Sequence, residues 1–419
     1  MFPAFTTALS ALTADSTAID VTGNNLANLN TTGFKASQVE FSDLMAQSLG
    51  TGATSAQVGL GVGPVQTTSA YTQGSITTTA NAPLNVAIQG NGFFVVNDPS
   101  TNETLYTRDG AFQLNTAGQL ETSTGQLVQG WNAVGGTVNA NGAPGDITIP
   151  TGAVLPAQAT ANMSITANLN SQATVGASNG TFSTPIQIYD SQGATHTLTA
   201  TFTETATNTW TYAISIPSAD LTSGGTTSLA TGTLTFDGNG NLTTPTASAG
   251  PIALSISGYA DGASDQTVNW NLFNSSGASL VTQYAQTSGE SSTQQDGFAA
   301  GQVSSVALQN GGNVVATYSN GQQATVGQLA LASISNPNTL ISVGDNNLQA
   351  SAATAAPAVG VANSGGRGQI VGGSLEASTA DMATEFTNLL TYERSYQAAS
   401  RVITTADQLM QETVNLIHP

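Results

Sequence analysis

Apolar residues recur at both ends of the chain with the alternating three- and four-residue spacing of a helix face. The repeat near the N-terminus, called here the N-terminal seam, comprises Phe2, Phe5, Leu9, Leu12, Ser16, Ile19, Gly23 and Leu26. The C-terminal seam comprises Met382, Phe386, Leu389, Glu393, Tyr396, Ser400, Ile403, Asp407, Met410, Val414 and Ile417. These are a and d positions of heptads, so each terminus is predicted to form an amphipathic helix that packs on another helix. The first helix is predicted over residues 10–28, before a polar run that leads to Gly33.

Between the seams the pattern changes to short alternating strands separated by Gly-rich and Asn-rich turns. Residues 297–375 need another half to close their sheet, and residues 71–146 are the natural partner. The predicted fold is therefore mainly β with helical termini. It comprises coiled-coil-like terminal helices (1–30 and 376–419), an extended connecting segment (31–70), a discontinuous β domain (71–146 and 297–375) and an inserted all-β outer domain (147–296).

One short stretch carries the strongest local turn signal. In residues 85–97, Val86, Ile88, Phe93 and Val95 alternate with other residues on either side of an Asn-Gly pair. Asn-Gly between alternating apolar residues favours a tight two-stranded turn. We therefore expect a β-hairpin here, and further hairpins around residues 108–110 and 116–118.

Charge and cysteine content exclude several classes of function. The net charge is −19, and only 7% of the residues are charged. Neither nucleic acid nor an anionic membrane surface is therefore expected as a partner. The absence of Cys excludes disulfide frameworks, thiolate metal sites and cysteine nucleophiles. No apolar stretch is long enough to span a bilayer, and the N-terminus lacks a basic region before an apolar one, so export without a cleaved signal peptide is expected.

Candidate catalytic chemistry is sparse. The two histidines, His196 and His418, lie in different predicted segments, so no histidine-based metal site or catalytic triad is expected, and His196 is expected at a surface or half-buried position. Residues 237–241 (DGNGN) begin like a calcium loop but lack its later Gly and Glu, which favours a hairpin turn. The many carboxylates single out no pair for glycoside chemistry. We assign no catalytic, cofactor-binding or metal residues, expect no cofactor, and predict that the protein is not an enzyme.

The seams themselves admit two interpretations. Either they are core helices of a globular domain, or they pack against helices of other subunits. Their position at both ends of a β-rich chain favours the second. In the C-terminal seam Glu393, Ser400 and Asp407 recur every seven residues, which weakens a pure coiled coil. Arg394 and Arg401 are also seven apart and are candidates for pairing with acids of a neighbouring subunit, where orientation matters more than the small free energy of exposed ion pairs.

Six sequence blocks, in order, resemble the bacterial flagellar rod and hook protein family. They are residues 24–35 (NNLANLNTTGFK), 73–79 (QGSITTT), 90–96 (GNGFFVV), 106–112 (YTRDGAF), 373–378 (GSLEAS) and 392–397 (YERSYQ). The long insertion resembles the outer domain of the hook members of this family. The resemblance implies a structural subunit that polymerises into a hollow, curved, flexible tube, a universal joint that transmits torque from rod to filament.

The resemblance also implies partners, and together with the seams it gives candidate assembly residues. The implied partners are further copies of the chain, the distal rod protein, the hook cap protein, the hook-filament junction protein, the hook-length ruler and the type III export apparatus. The implied location is the extracellular hook of the flagellum, on the basal body. The candidate assembly residues are Phe5, Leu9, Leu12, Ile19, Leu26, Asn28, Gly33, Phe34, Met382, Phe386, Leu389, Tyr396, Ile403, Met410, Val414 and Ile417.

Two alternatives remain open from the sequence. A distal rod protein of the basal body would share both ends but form a straight shaft, and the long insertion argues against it. A secreted β-rich adhesin would explain the Thr- and Gly-rich middle, but it would need a signal peptide and no paired terminal helices.

Overall fold

The computed structural model describes residues 3–45, 47–49 and 56–417 of the chain. The side chains of residues 3, 47–49, 56–58, 416 and 417 lie outside the described part. As predicted, the described chain is mainly β, with one long helix towards each end. Two compact units are present: the first comprises residues 1–150, 305–316 and 323–419, and the second comprises residues 151–304 and 317–322.

Helix α1 spans Pro3–Ala27 and helix α2 spans Met382–Ile417. The prediction that the first helix begins at residue 10 is wrong, because the helix already begins at Pro3. Proline suits a first helical position, since its missing N–H would have no helical partner there. At α2 the Oδ1 atom of Asp381 accepts the N–H of Thr384 at 2.8 Å and caps the first turn.

The strands before the second unit are short and lie in chain order. They are β1 Ser37–Glu40, β2 Gln47–Leu49, β3 Ala56–Val58, β4 Gln66–Ser69, β5 Ile76–Thr78, β6 Val86–Gln89, β7 Phe93–Asp98, β8 Glu103–Thr107, β9 Phe112–Leu114, β10 Leu120–Thr122, β11 Leu127–Val134, β12 Thr137–Val138 and β13 Gly145–Asp146.

The second unit contains the longest described strand, β17 (Thr195–Ala206), with 12 residues. The strands of this unit are β14 Val154–Leu155, β15 Asn162–Asn170, β16 Thr181–Tyr189, β17 Thr195–Ala206, β18 Thr209–Ser215, β19 Ser228–Phe236, β20 Leu242–Thr244, β21 Ile252–Ile256, β22 Gln266–Asn271, β23 Val281–Tyr284 and β24 Gly289–Gln295. The remaining strands are β25 Gly301–Leu308, β26 Asn313–Tyr318, β27 Gln323–Leu329, β28 Leu331–Ser333, β29 Ile341–Gly344, β30 Asn347–Gln349, β31 Ala358–Gly360, β32 Gln369–Gly372 and β33 Ser374–Glu376. Short 3₁₀ turns lie at Ser178–Gly180, Ser218–Asp220, Ala247–Ala249, Asn310–Gly312 and Pro337–Thr339.

The sheet of the first unit is assembled from strands on both sides of the insertion. Its central order is β27-β11-β7-β8-β30-β29, so three consecutive strands from before residue 150 are flanked on both sides by strands from after residue 320. The β5 strand pairs with β33, and β6 pairs with β32. These long-range pairs bring the start of the β region back to the residues that lead into α2.

The hairpin predicted at residues 85–97 is wrong. Strand β6 pairs with β32, with Ile88 opposite Ile370, whereas β7 pairs with β8, β11 and β28. The apolar side chains of β6 are better buried against the returning chain than they would be in a local hairpin. The hairpin expected around residues 116–118 is confirmed, because β9 and β10 pair antiparallel across it. The hairpin expected around residues 108–110 is wrong, because β8 pairs with β7 and β30 whereas β9 pairs with β10.

The second unit contains two five-stranded sheets whose apolar faces form one core. One sheet is the antiparallel meander β16-β17-β18-β19-β20; the other has the order β21-β22-β15-β23, with β24 also on β15. Trp270 of the second sheet packs on Phe202 and Tyr212 of the first, with distances between ring centroids of 6.1 and 5.2 Å. The turn predicted at residues 237–241 is confirmed by the β19–β20 pairing around it. The expected surface or half-buried position of His196 is wrong, because only 6% of its surface is exposed.

Candidate assembly interface

Helix α1 packs inside the chain through small residues rather than through the N-terminal seam. Its small-residue face comprises the buried residues Ala8, Ala14, Asp15, Ala18, Thr22 and Asn25. At 3.6 residues per turn, this face lies roughly a third of a turn from the seam. Sequence reasoning missed it because small residues carry little hydrophobic signal, although their own three- and four-residue spacing would have revealed it.

The large residues of the N-terminal seam are only partly covered as a result. Leu9 is 47% exposed. Phe5, Leu12, Ile19 and Leu26 are half-buried. The predicted seam therefore exists on the helix, but the described chain covers it incompletely.

The two helices meet at a polar junction. Asn25, near the end of α1, donates an Nδ2 hydrogen bond to Oε1 of Glu385 at 3.1 Å and another to the carbonyl oxygen of Ser37 at 2.8 Å. Its Oδ1 accepts the N–H of Ser37 at 2.9 Å. Burial raises the pKa of Glu385; the Asn25 hydrogen bond opposes this, and the nearby Asp381 carboxylate adds to it. Because the end of α1 meets the start of α2, the helices run antiparallel.

The C-terminal seam divides between covered and uncovered residues. Met382, Phe386, Tyr396, Met410 and Val414 are exposed. Leu389 and Ile403 are half-buried, and the side chain of Ile417 lies outside the described part of the chain.

Two geometric facts explain this division. A strict heptad drifts by about 20° per repeat on a straight helix, so the early seam residues do not share the face that the later ones occupy. In addition, α2 has 36 residues and α1 has 25, so the last turns of α2 extend beyond α1. Met410 and Val414 therefore have no α1 residues opposite them.

Arg394 and Arg401 lie on the exposed side of α2. Within the described residues neither forms an ion pair with an acid of the same chain. Their position is compatible with the predicted pairing to a neighbouring subunit, which stays a prediction.

The remaining candidate assembly residues lie in the turn after α1. Asn28 donates from Nδ2 to the carbonyl oxygen of Asn24 at 2.9 Å and accepts the Thr31 hydroxyl on Oδ1, which ends the helix. Phe34 is half-buried, and its carbonyl oxygen accepts the N–H of Thr379 at 3.1 Å.

Gly33 has a role within the chain that sequence reasoning did not assign. Its φ is +68°, and a Cβ there would lie 2.6 Å from the carbonyl carbon of Arg108. Its N–H donates to the carbonyl oxygen of Glu376 at 2.8 Å. Only glycine fits this close approach without strain.

A buried charge cluster lies next to this turn. Glu376, 1% exposed, accepts Lys35 Nζ on Oε1 at 2.5 Å and Arg108 Nη1 on Oε2 at 3.1 Å. The backbone N–H of Gly74 also donates to Oε1 at 2.8 Å, and Arg108 Nη2 donates to the Gly90 carbonyl oxygen. Burial lowers the pKa values of Lys35 and Arg108, and the Glu376 carboxylate opposes that shift in both.

The cluster joins three distant parts of the sequence. Lys35, Arg108 and Glu376 come from three of the six blocks that carry the family resemblance, and they meet only in the folded chain. Their chemistry is structural: one carboxylate pairs with two cations at the point where both helices leave the β region. No local pattern predicts such a meeting, although an acid or base inside an otherwise uncharged block is a signal for it.

Models of known protein families match four successive parts of the chain. Residues 5–35 match "Flagella basal body rod protein", and residues 87–168 match "Flagellar hook protein FlgE/F/G D1 domain". Residues 168–298 match "Flagellar basal body protein FlaE D2 domain", and residues 371–416 match "Flagellar basal body rod FlgEFG protein C-terminal". Among the described residues, neither helix is apolar enough over a sufficient length to cross a membrane.

Similar proteins extend over nearly the whole sequence. The flagellar hook protein FlgE of Salmonella typhimurium strain LT2 is 34% identical, covering 98% of this chain and 99% of its own length. That of Escherichia coli K12 is 33% identical, covering 99% and 100%. That of Treponema pallidum is 31% identical, covering 97% and 98%.

Proposed function

The chain belongs to the flagellar hook protein FlgE family, and from this premise we propose that it polymerises through the helix faces that in-chain pairing leaves uncovered. It is a structural subunit of the bacterial flagellar hook, and this family is not a class of enzymes. The distal rod protein and the secreted adhesin are not favoured, because hook proteins match over almost the full length.

The observation that carries the proposal is the uncovered apolar surface of the two helices. Large side chains such as Leu9, Phe386 and Val414 remain exposed although each sits at a seam position. Burying such side chains contributes about 1.5–3 kcal/mol each. A tube that elongates needs contacts between different faces of successive subunits, and helices with one face used inside the chain and another left open supply them.

The bending of the tube needs contacts of another kind. The second unit, residues 151–304 and 317–322, contains no Lys or Arg and is rich in Ser and Thr. Interfaces of this composition are wet and weak and can slide. We propose that this unit forms the outer, adjustable contacts and that the first unit forms the permanent ones, which gives a curved joint able to pass torque.

Membership in the flagellar family suggests partner proteins, but not the residues that contact them. We propose the distal rod protein, hook cap, hook-filament junction protein, hook-length ruler and type III export apparatus as partners. The protein is located in the flagellum, and we propose that it reaches the outside without a cleaved signal peptide.

Electron microscopy of the purified full chain after polymerisation tests the function. Hollow curved tubes are the expected result, whereas straight rods would favour the distal rod reading and the absence of ordered polymers would contradict both.

A deletion tests the division of labour between the two units. We expect removal of residues 150–295 to leave a protein that still polymerises, with altered curvature, because the terminal helices are intact. Loss of polymers from a deletion variant whose first unit stays folded would contradict this division.

A further inference from the structure

An unusual charged cluster lies in the second unit. The fully buried Asp190 follows β16, and His196 is the second residue of β17. Asp220 ends a 3₁₀ turn, and Asp261 lies in the loop between β21 and β22. Three loops that are separate in sequence therefore surround one imidazole.

The distances place a carboxylate oxygen against each imidazole nitrogen. Nε2 of His196 lies 3.2 Å from Oδ2 of Asp190 and 3.6 Å from Oδ2 of Asp261. Nδ1 lies 3.4 Å from Oδ2 of Asp220 and has no hydrogen-bond partner of good geometry among the described residues. The donor atoms of Asp190, His196 and Asp261 all lie within 4.8 Å of one another.

Both carboxylates that face Nε2 are held in place by the backbone. Oδ1 of Asp190 accepts the N–H groups of Gln192 and Ala194 at 2.8 and 2.9 Å. Oδ1 of Asp261 accepts the N–H of Ala263 at 3.0 Å. With Oδ1 occupied, each residue presents Oδ2 to the histidine.

The second unit holds no side chain that could neutralise these acids permanently. All five Lys and Arg residues of the chain, Lys35, Arg108, Arg367, Arg394 and Arg401, lie outside residues 151–322. The ring centroid of Tyr259 lies 4.6 Å from that of His196. Of the three carboxylates Asp190 is fully buried, whereas Asp220 and Asp261 keep 29% and 34% of their side-chain surface exposed. A buried carboxylate is costly unless a positive charge pairs with it.

We propose that Asp190, His196 and Asp261 form a binding site for a divalent transition metal of the zinc class. Zinc bonds of about 2.0–2.1 Å in a tetrahedron give ligand–ligand edges of about 3.3–3.4 Å, close to the observed 3.2 and 3.6 Å. Imidazole suits zinc, whereas calcium prefers oxygen donors throughout. The exposed side of Asp261 leaves room for water as a further ligand.

Asp220 has a positioning role in this site. A metal-bound histidine typically donates its other ring N–H to a carboxylate, which fixes the tautomer and the orientation of the ring. The Oδ2 atom of Asp220 faces Nδ1 for this purpose. The bound metal would tie the β16–β17 turn to the β21–β22 loop in a cysteine-free unit and stabilise that unit by mass action.

Zinc binding to the purified, metal-stripped full chain tests the proposal. We expect calorimetry with ZnCl₂ to give one equivalent per chain and zinc to raise the melting temperature, with no comparable rise from CaCl₂. Asp261→Asn removes an exposed ligand and should abolish the bound equivalent without unfolding the chain. Asp220→Asn should weaken binding by about 10–100-fold, as loss of an outer carboxylate does.

Two variants serve as matched controls. His418→Gln removes the only other histidine, and Glu290→Gln removes an exposed acid of the same unit; both should bind zinc as the unmodified chain does. Absence of zinc binding to the unmodified chain, equal binding by Asp261→Asn, or loss of binding in His418→Gln would each overturn the assignment. A stabilisation by calcium equal to that by zinc would overturn the zinc class.

Discussion

At the scale of single residues, Glu376 is the side chain on which most of the charged contacts in the first unit depend. It is almost fully buried and faces two cations, Lys35 and Arg108, of which Arg108 also lies 5.3 Å from the centroid of the Phe93 ring. Burying charges is costly unless each is paired. The single carboxylate therefore makes burial of both cations tolerable.

We expect Glu376→Gln to destabilise the first unit by about 3–5 kcal/mol, because it leaves two buried cations without their counter-charge. The free energy of unfolding can be measured by denaturant-dependent hydrogen exchange in β7 and β11. Glu103→Gln is the control: this acid is exposed on β8 of the same unit, and its change should stay within about 0.5 kcal/mol. Equal effects of the two substitutions would show that the cluster is not a main support of the unit.

At the scale of elements, each terminal helix has two different faces. Small residues of α1 pack within the chain, while the larger seam residues of both helices remain half-buried or exposed. The face used inside the subunit and the face predicted for assembly are therefore separate. This separation allows assembly to be disturbed without disturbing the subunit.

Phe386→Asp should block polymerisation and leave the thermal transition of the monomer unchanged. Phe386 is 47% exposed on α2, so the new carboxylate harms only a surface that is buried in the polymer. Sedimentation and electron microscopy would measure assembly. Ala398→Asp introduces the same charge at an exposed position about 120° around the helix and should still polymerise. If Phe386→Asp formed normal tubes, this face of α2 would not be part of the interface between subunits.

The junction between the helices should respond to pH through Glu385. Burial raises the pKa of this carboxyl above its usual 4.5, so the folded junction binds a proton more tightly than the unfolded chain. Its stabilising contribution is therefore fully present below the unfolded pKa and is lost as pH rises through the folded pKa. In the polymer, where both helices are expected to be ordered, acidification from neutral pH should raise the hydrogen-exchange protection factors of the amides at this junction.

Glu385→Gln tests this account. It keeps an oxygen acceptor for Asn25 but has no charge, so the junction should be at least as stable as the original at neutral pH and should lose its pH dependence. Glu393→Gln, at an exposed acid of the same helix, should retain the pH dependence. An unchanged pH profile in Glu385→Gln would mean that another group is responsible.

At the scale of the whole molecule, folding of the ends and growth of the tube are coupled in the proposed mechanism. In-chain pairing of α1 buries small side chains, which contribute little compared with the entropy of ordering a helix. The large seam residues would then contribute only when neighbouring subunits cover them. Such a chain resists early polymerisation and orders its ends on assembly.

Hydrogen exchange on monomer and polymer measures this coupling. We expect residues 5–28 and 380–415 to exchange at rates near those of an unfolded chain in the monomer and to become protected in the polymer. Amides of the β17–β18 pair in the second unit provide an internal reference that should be protected in both states. Strong protection of both terminal segments in a verified monomer would show that assembly does not drive their folding.

The sequence by itself determined those features that depend on neighbouring residues. The heptad spacing gave the two helices, alternation and turn residues gave the β-rich middle, and the β9–β10 hairpin and the turn at residues 237–241 followed from their own Gly and Asn residues. Backbone preferences and the periodicity of burial act within a few residues, so the chain itself carries them.

The tertiary structure alone decided which surfaces meet. Strand β6 pairs with β32 rather than across its local Asn-Gly turn, and α1 packs through small residues rather than through its seam. Lys35, Arg108 and Glu376 come together from three distant blocks. The burial of His196 among three carboxylates is likewise a contact that only the tertiary structure brings about. Each of these contacts is one of several that the residues involved could make. The whole fold selects the partner that is buried most completely, and the competing partners lie far apart in the chain.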